Sequence, residues 1–526
     1  MKNYQKRMVK IELKKSRTIN SIRNSLTSII ANIVAILVAF IAQTMFIKLL
    51  GSEYLGLNGL FTNILTLLSL FDLGIGSAIV YNMYKPLAEN DTETIKSLLK
   101  FYKKTYNIIA MIILLVGSFL IPIIEIFVGN ISINVNIKLV YFLFLISTSA
   151  SYVLVSKRNL LYANQESYIV NIVHSCYVIV LNFCQIFVLY LTKNYYLYLV
   201  IKIICQLIEN IVISIICNIV HPYVLEKSSP LDKEKEKSIF NNVKALILHK
   251  LGGVIVLGTD NIIISKFIGL IEVGLYSNYY LIINTSSSFF GQIITSITAS
   301  VGNLLISSDE RKSYDIFKKV RFINFWISCF TATAIMCAIQ PFIRIWIGDN
   351  YMLSSVTVLV LVINYFQKLQ RMSYSIFKDS AGIWREDRIV PLIEAGLNIL
   401  FSLIFVHYFG LTGVFLGTIV SGFALWFYSY PKYVYKKIFN RTYFNYAKET
   451  LGYFFMFIII LIFSNNLCNM IDNGHQALMC LIINVIISII VPNSIIFILF
   501  RKTENFKYFK DIIKRFYSKF SKNNNG

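Results

Sequence analysis

Fourteen stretches of this chain run for about 20 residues or more with few charges, and nothing else in it constrains the fold as strongly. An α-helix rises 1.5 Å per residue, so about 20 apolar residues cover the hydrocarbon core of a bilayer. The runs lie near 24–50, 56–83, 105–128, 138–162, 168–192, 195–220, 244–268, 273–306, 320–347, 353–377, 389–409, 411–431, 449–471 and 475–500. In lipid every backbone N–H and C=O must be satisfied internally, which leaves helices and closed barrels. Barrel strands would show short stretches of alternating polarity, about 10 residues each; the long unbroken runs exclude them. The expected fold is an all-α integral membrane protein with about 14 transmembrane helices. The two least apolar runs are 244–268, which carries Lys250 and Asp260, and 353–377, which carries Lys368 and Arg371.

Charge placement orients the helices. Only 15% of the 526 residues are charged, yet the net charge is +23. In a soluble chain such an excess points to nucleic acid. Here 44 of the 50 Lys and Arg fall on one side of the predicted spans, in the N-terminal tail, in six alternate connections and in the C-terminal tail. The positive-inside rule then places both tails in the cytosol. The other six are Lys48, Lys138, Lys193, Lys202, Lys266 and Arg344; of these, Lys48, Lys266 and Arg344 sit where long side chains snorkel to the outer interface. No nucleic-acid partner is expected. The apolar run after the basic N-terminus is longer than the 7–15-residue core of a cleaved signal, so it reads as a retained anchor. The outer connections are short, the longest near Gly129–Asn136. The eight cysteines form no CxxC pair and no metal-spaced cluster, and read as small hydrophobes. In the C-terminal tail Phe506, Phe509, Ile513, Phe516 and Phe520 recur at helical spacing among lysines. Such a helix lies on an anionic leaflet or packs on the protein's own helices.

A short motif repeats. Lys48–Gly51 (KLLG) with Gly56 and Leu57 matches Lys266–Gly269 (KFIG) with Gly274 and Leu275 at an offset of 218 residues. Each copy joins the first two helices of a six-helix block, in the same orientation, as in transporters with parallel duplicated halves. The expected organisation is a basic cytosolic tail (1–23), an N-lobe of six helices (24–220), a cytosolic linker (221–243), a C-lobe of six helices (244–438), a helix pair (439–500) and a basic amphipathic tail (501–526).

Three stretches resemble bacterial polysaccharide flippases of the O-antigen and capsule type, in the multidrug/oligosaccharidyl-lipid/polysaccharide superfamily. They are Phe71–Ala78 (FDLGIGSA) with Tyr81, Lys85 and Pro86; Thr259–Lys266 (TDNIIISK) with Gly269, Gly274, Tyr276 and Ser277; and Leu392–Asn398 (LIEAGLN) with Gly410, Gly413, Gly417 and Thr418. The resemblance covers nearly the whole chain. It implies alternating-access movement of a polyprenyl-pyrophosphate-linked oligosaccharide from the inner to the outer leaflet of a bacterial plasma membrane, for cell-surface polysaccharide or exopolysaccharide synthesis. The implied partners are that lipid-linked substrate, membrane lipids and other polysaccharide assembly proteins.

The residues are compatible with that task. A sugar cannot cross hydrocarbon unaided, because its hydroxyls would lose their hydrogen bonds. Asn171, Asn182, Asn261, Asn284, Ser286, Ser287, Asn324 and Asn364 lie within the runs; each lines a polar path or bonds one helix to another. Ionisable groups at membrane depth are costly and mark function by default. Lys202 and Lys250 are the basic residues furthest from the predicted helix ends and are candidates for the pyrophosphate. Asp72, Glu209 and Asp260 are candidates for a coupling cation, since a proton or Na⁺ neutralises a carboxylate. The bland alternative is internal neutralisation, with Lys202 partnering Glu209, seven residues on along one helix face, through water, and Lys250 snorkelling to the cytosolic interface. The repeat argues that the scaffold does not demand these charges: the 218-residue offset maps Asp72 onto Phe290, Lys250 onto Asn32 and Asp260 onto Ala42. No nucleotide motif suggests ATP, so a proton or sodium gradient is the expected energy source and no cofactor is expected. A transporter is expected rather than an enzyme. The rival functions are a cation-coupled multidrug exporter of the same superfamily and a membrane polysaccharide polymerase or glycosyltransferase, which would want a larger outer loop with clustered acids or arginines.

Overall fold

The computed structural model describes residues 2–526 other than 73–74, 130, 228, 233–235, 237–238, 240–251, 257, 384–385, 473–475, 512–513 and 515–526; the side chains of 2–22, 25–26, 29, 71–72, 77–79, 299 and 471–472 are also outside the description. Every regular element among the described residues is helical. Nine helices there are long and apolar enough to span a bilayer, or ten when the bent pair Ile137–Ala150 and Val155–Ala163 is one span. One of the nine, Val390–Ile438, is long enough for two passes. The all-α membrane fold expected from the sequence is therefore the fold observed. The chain falls into two compact units, Met1–Gly274 and Leu275–Gly526.

The first unit contains α1 (Lys2–Leu50), α2 (Ser52–Leu68), α3 (Ile75–Glu89), α4 (Thr92–Ser118), α5 (Ile137–Ala150), α6 (Val155–Ala163), α7 (Ser167–Thr192) and α8 (Tyr195–Val220). The basic N-terminal segment continues the helix of the first span rather than forming a separate element. Polar residues set the helix starts by accepting from otherwise orphaned backbone N–H groups. Asp91 accepts from Thr94 at 3.0 Å, Asn136 from Leu139 at 3.0 Å, and Asn194 from Tyr196 and Leu197 at 2.9 and 3.2 Å. Between α5 and α6, Leu154 takes φ +65° and the two helices bend by 43°. Within this unit α1 packs on α7, α7 on α8, and α5 on α4 and α8. The stretch 258–267 is also helical and packs here, with Gly258 against Leu67 of α2. The first copy of the repeated motif and the second as far as Gly274 lie in this unit, and Gly51 and Gly269 occupy positive φ at 93° and 148°.

A ninth helix, α9 (Leu270–Thr295), starts in the first unit and continues into the second. The second unit holds α10 (Thr298–Ser307), α11 (Glu310–Trp346), α12 (Ser355–Ser380), α13 (Val390–Ala424), α14 (Tyr443–Asp472) and α15 (Ala477–Phe500). The 37-residue α11 is its axis, packed against α12, α14 and α15. Gly410 divides α13 with φ +55°, ψ −133°. This conformation penalises a Cβ, and it falls between the two predicted spans 389–409 and 411–431. The chain then continues as a π-helix, Leu425–Ile438, containing Pro431. Tyr430, Val434 and Tyr435 of that segment enter an aromatic core with Phe317, Tyr374, Phe377 and Phe439. In the C-terminal tail, Phe506 and Phe509 pack on Trp326 at ring distances of 5.7 and 5.0 Å. These two rings face the protein's own helices; Ile513, Phe516 and Phe520 lie outside the described residues.

Candidate functional site

The most concentrated intramembrane charge in the first unit is built around Glu209. It lies on α8 and is only 5% exposed. The bend before α6 brings Arg158 to it, and Arg158 Nη2 reaches Glu209 Oε1 at 3.0 Å. His174 Nδ1 on α7 approaches the same oxygen at 3.0 Å. Arg158 Nη2 also donates to Asn210 Oδ1 at 3.0 Å, and Asn210 Nδ2 donates to the Ala150 carbonyl at 3.3 Å. Three helices are thus tied through one carboxylate. A buried carboxylate is costly unless paired and hydrogen-bonded, and Arg158 with His174 supplies that compensation. His174 itself is half-exposed and stacks on Tyr177 at 5.7 Å.

The direct partners of Glu209 are thus Arg158 and His174, and Lys202, seven residues before it on α8, makes no direct ion pair with it. Seven residues separate them by about 10 Å along the helix. The Lys202 ammonium lies over the Phe144 ring at 5.2 Å, and no carboxylate is within 4.0 Å of it among the described residues. Neither Arg158 nor His174 is among the candidates drawn from the sequence. The signal that would have found them is the triplet of Arg, His and Glu on consecutive apolar segments, each too costly to stand alone.

Asp260 lies on the helical stretch 258–267, and its Oδ1 is buried with no hydrogen-bond partner among the described residues. That leaves a carboxylate oxygen free to take a proton or a small cation. Neighbouring Asn261 Oδ1 is likewise unpartnered there. Lys250 and the side chain of Asp72 lie outside the described residues.

The most buried charges of the second unit are paired within it. Arg371 grips Glu394 with two bonds of 2.6 and 2.8 Å. Lys378 pairs with Asp387, which also accepts from Ser429 at 2.9 Å. Arg321 is 2% exposed and donates to Glu449 Oε2 at 2.7 Å and to Tyr435. Its guanidinium lies 5.0–5.7 Å from the rings of Phe317, Tyr374, Tyr435 and Tyr453. Lys368 differs. It lies midway along α12, is exposed, and has no carboxylate within 4.0 Å among the described residues. Lys368 and Arg371 lie within the run 353–377 predicted as a span, and the helix continues past that run to Ser380.

Several intramembrane polar residues serve packing. Asn324 donates to the Leu369 carbonyl at 2.9 Å, Asn364 to the Phe415 carbonyl at 3.0 Å, and Ser286 pairs with the Tyr365 hydroxyl at 2.8 Å. Asn182 bonds back to Val178 of its own helix at 2.8 Å. These are helix–helix or intrahelical bonds. Asn284, half-buried, makes no side-chain hydrogen bond among the described residues.

A family model described as "Polysaccharide biosynthesis protein" matches residues 45–357. No curated protein matches the chain in sequence. Among solved structures, the lipid II flippase MurJ in an inward closed conformation aligns with a TM-score of 0.64 at 14% identity, covering 91% of this chain and 99% of that one. An inward-facing multidrug resistance MATE family transporter of the MOP superfamily aligns with a TM-score of 0.56 at 15% identity, over 74% of this chain and 91% of that one. The Vibrio cholerae MATE transporter VcmN aligns with a TM-score of 0.50 at 12% identity, over 78% and 96%. At such identities the likeness establishes the fold.

Proposed function

The chain belongs to the polysaccharide biosynthesis protein family, and from that premise we propose that it is a flippase carrying a polyprenyl-pyrophosphate-linked oligosaccharide from the inner to the outer leaflet of the plasma membrane. The family match, over more than half of the chain, is the observation that carries this reading. The fold supports it, since a lipid II flippase shares it along nearly its full length. The unpaired Lys202 adds a chemical reason. A pyrophosphate entering a low-dielectric site needs a counter-charge, and a compact ammonium with no carboxylate partner is available as a point charge for phosphate. Lys250 is the second proposed contact.

The energy source proposed is a proton or sodium gradient. Asp260 is favoured as the ion carrier over Glu209, because Glu209 already holds Arg158 and His174 while Asp260 keeps an oxygen unpartnered among the described residues. Asp72 stands as the third candidate.

The test is purified protein in liposomes with its lipid-linked glycan on one leaflet. The expected result is movement of the glycan to the other leaflet without its lengthening, slowed when both gradients are collapsed and slowed in Asp260→Asn. Glycan extension by the purified protein alone would transfer the case to a polymerase. Gradient-driven efflux of organic cations, with no glycolipid movement, would transfer it to the multidrug exporters that share the fold.

A further inference from the structure

The second unit contains a cavity of about 480 Å³ where the start of α14 meets α11 and the C-terminal tail. Its polar lining is Lys318, Arg321, Asn445, Lys448, Glu449 and Asn505. Three cations face one acid, a local charge of +2. The acid is fully engaged: Glu449 accepts from Arg321 at 2.7 Å, from the Tyr314 hydroxyl at 2.8 Å and from the Tyr435 hydroxyl at 2.7 Å. The donors are not. Arg321 Nε, on a side chain 98% buried, has no hydrogen-bond partner among the described residues. The Lys448 ammonium and the side-chain amides of Asn445 and Asn505 make no hydrogen bond there either. Lys318 is only loosely held, 3.8 Å from Asp315.

A cavity with spare donors and spare positive charge is complementary to a compact anion rich in acceptor oxygens. Its volume lies in the range of small-molecule sites, about 300–1,000 Å³. The wall is not wholly polar, because Tyr453 and Met456 also line it. Phosphate on a glycerol backbone has that mixed character. The surroundings favour a lipid source: the flanking segments carry Lys312, Lys319, Arg441, Arg501 and Lys502, and such clusters attract anionic leaflets.

We propose that this cavity binds the phosphate of an anionic phospholipid head group. Lys318 and Lys448 supply the charge, the amides of Asn445 and Asn505 hydrogen-bond the phosphate oxygens, and Arg321 forms the floor. The site is separate from the transport reading and stands or falls without it.

The test uses the full-length protein in nanodiscs of phosphatidylglycerol and phosphatidylcholine, followed by native mass spectrometry of the lipids that stay bound. Wild type should retain phosphatidylglycerol preferentially. The pair Lys318→Gln with Lys448→Gln should lower that preference about a hundredfold, as expected for two lost charge-assisted contacts of about tenfold each. Lys507→Gln with Lys510→Gln removes equal charge from the tail outside the cavity and should lower it clearly less. Gly452→Leu provides a second route: Gly452 lines the cavity, and a Cβ there meets nothing within 4 Å. A leucine should fill the space and expel the head group without lowering the melting temperature in detergent. Competition by millimolar glycerol phosphate, with equal retention of both lipids, would show that the ligand is a soluble phosphate and overturn the lipid assignment. Equal losses in the cavity and tail pairs, or a preference untouched by Gly452→Leu, would overturn the site itself.

Discussion

Gly56 and Gly274, which hold the same place in the two copies of the repeated motif, each pack on the opposite copy. A Cβ on Gly56 would stand 2.1 Å from the Leu270 carbonyl oxygen, and a Cβ on Gly274 would stand 2.1 Å from the Ser52 carbonyl oxygen. Ser52 and Leu270 are themselves related by the 218-residue offset, so the contact is reciprocal. The repeat is therefore a packing device: two helix starts approach closely because neither carries a side chain at the crossing.

That relationship predicts a sharp substitution pattern. Gly56→Val or Gly274→Val places atoms against backbone rather than against a flexible side chain, and overpacking of this kind costs about 1–3 kcal/mol or more. Either variant should lower the apparent melting temperature and raise the labelling of a cysteine introduced at Ser52. Gly302→Ala, where a Cβ meets nothing within 4 Å, should leave the melting temperature within a degree or two of wild type. A wild-type melting curve and unchanged Ser52 labelling in Gly274→Val would refute the reciprocal contact.

The Glu209 cluster predicts strong coupling. Removing Arg158 leaves a buried carboxylate short of its cation, a loss of about 3–5 kcal/mol for a buried pair. Arg158→Met should reduce abundance severely, and adding Glu209→Met should recover much of it, because the double variant buries no unpaired charge. A double-mutant cycle on thermal stability measures this. Purely additive effects would mean the two side chains do not interact.

Lys202 should behave in the opposite way. With no carboxylate partner, Lys202→Ala should leave abundance near normal while transport of a pyrophosphate-linked lipid falls about tenfold, the scale of one lost charge-assisted contact. Lys202→Arg should restore part of it. Binding of a neutral glycolipid should change little. Equal losses for charged and neutral lipids would argue against a phosphate contact. Lys368→Ala, at an intramembrane lysine that is also unpaired among the described residues, extends the same comparison to the second unit.

Orientation is tested by single cysteines in a background lacking native ones. Positions 132 and 349 are exposed and should react with an impermeant reagent added outside intact cells; position 229, also exposed, should react only after the cells are opened. Labelling of position 229 from outside would reverse the cytosolic assignment drawn from the split of Lys and Arg.

The spans were legible in the amino-acid sequence because the bilayer makes a local demand. About 20 successive apolar residues are needed wherever a helix crosses, whatever its neighbours, and Ser167–Thr192 or Ala477–Phe500 meets it alone. The division of one long apolar stretch at Gly410 was legible for a similar reason, since its φ of +55° is a property of one residue. The repeat could be read as an offset, but that Gly56 meets Leu270 and Gly274 meets Ser52 depends on two segments 218 residues apart approaching each other. Charge pairing was also decided in three dimensions. Spacing puts Lys202 and Glu209 on related faces of one helix, yet Glu209 is met by Arg158 and His174 from two other helices. Periodicity made the tail amphipathic without saying what its apolar face covers; Trp326, remote in sequence, settles that for Phe506 and Phe509. Local hydropathy determines which segments enter the membrane, whereas the partners of buried charges and rings depend on how helices distant in the chain cross, and only the tertiary structure contains that.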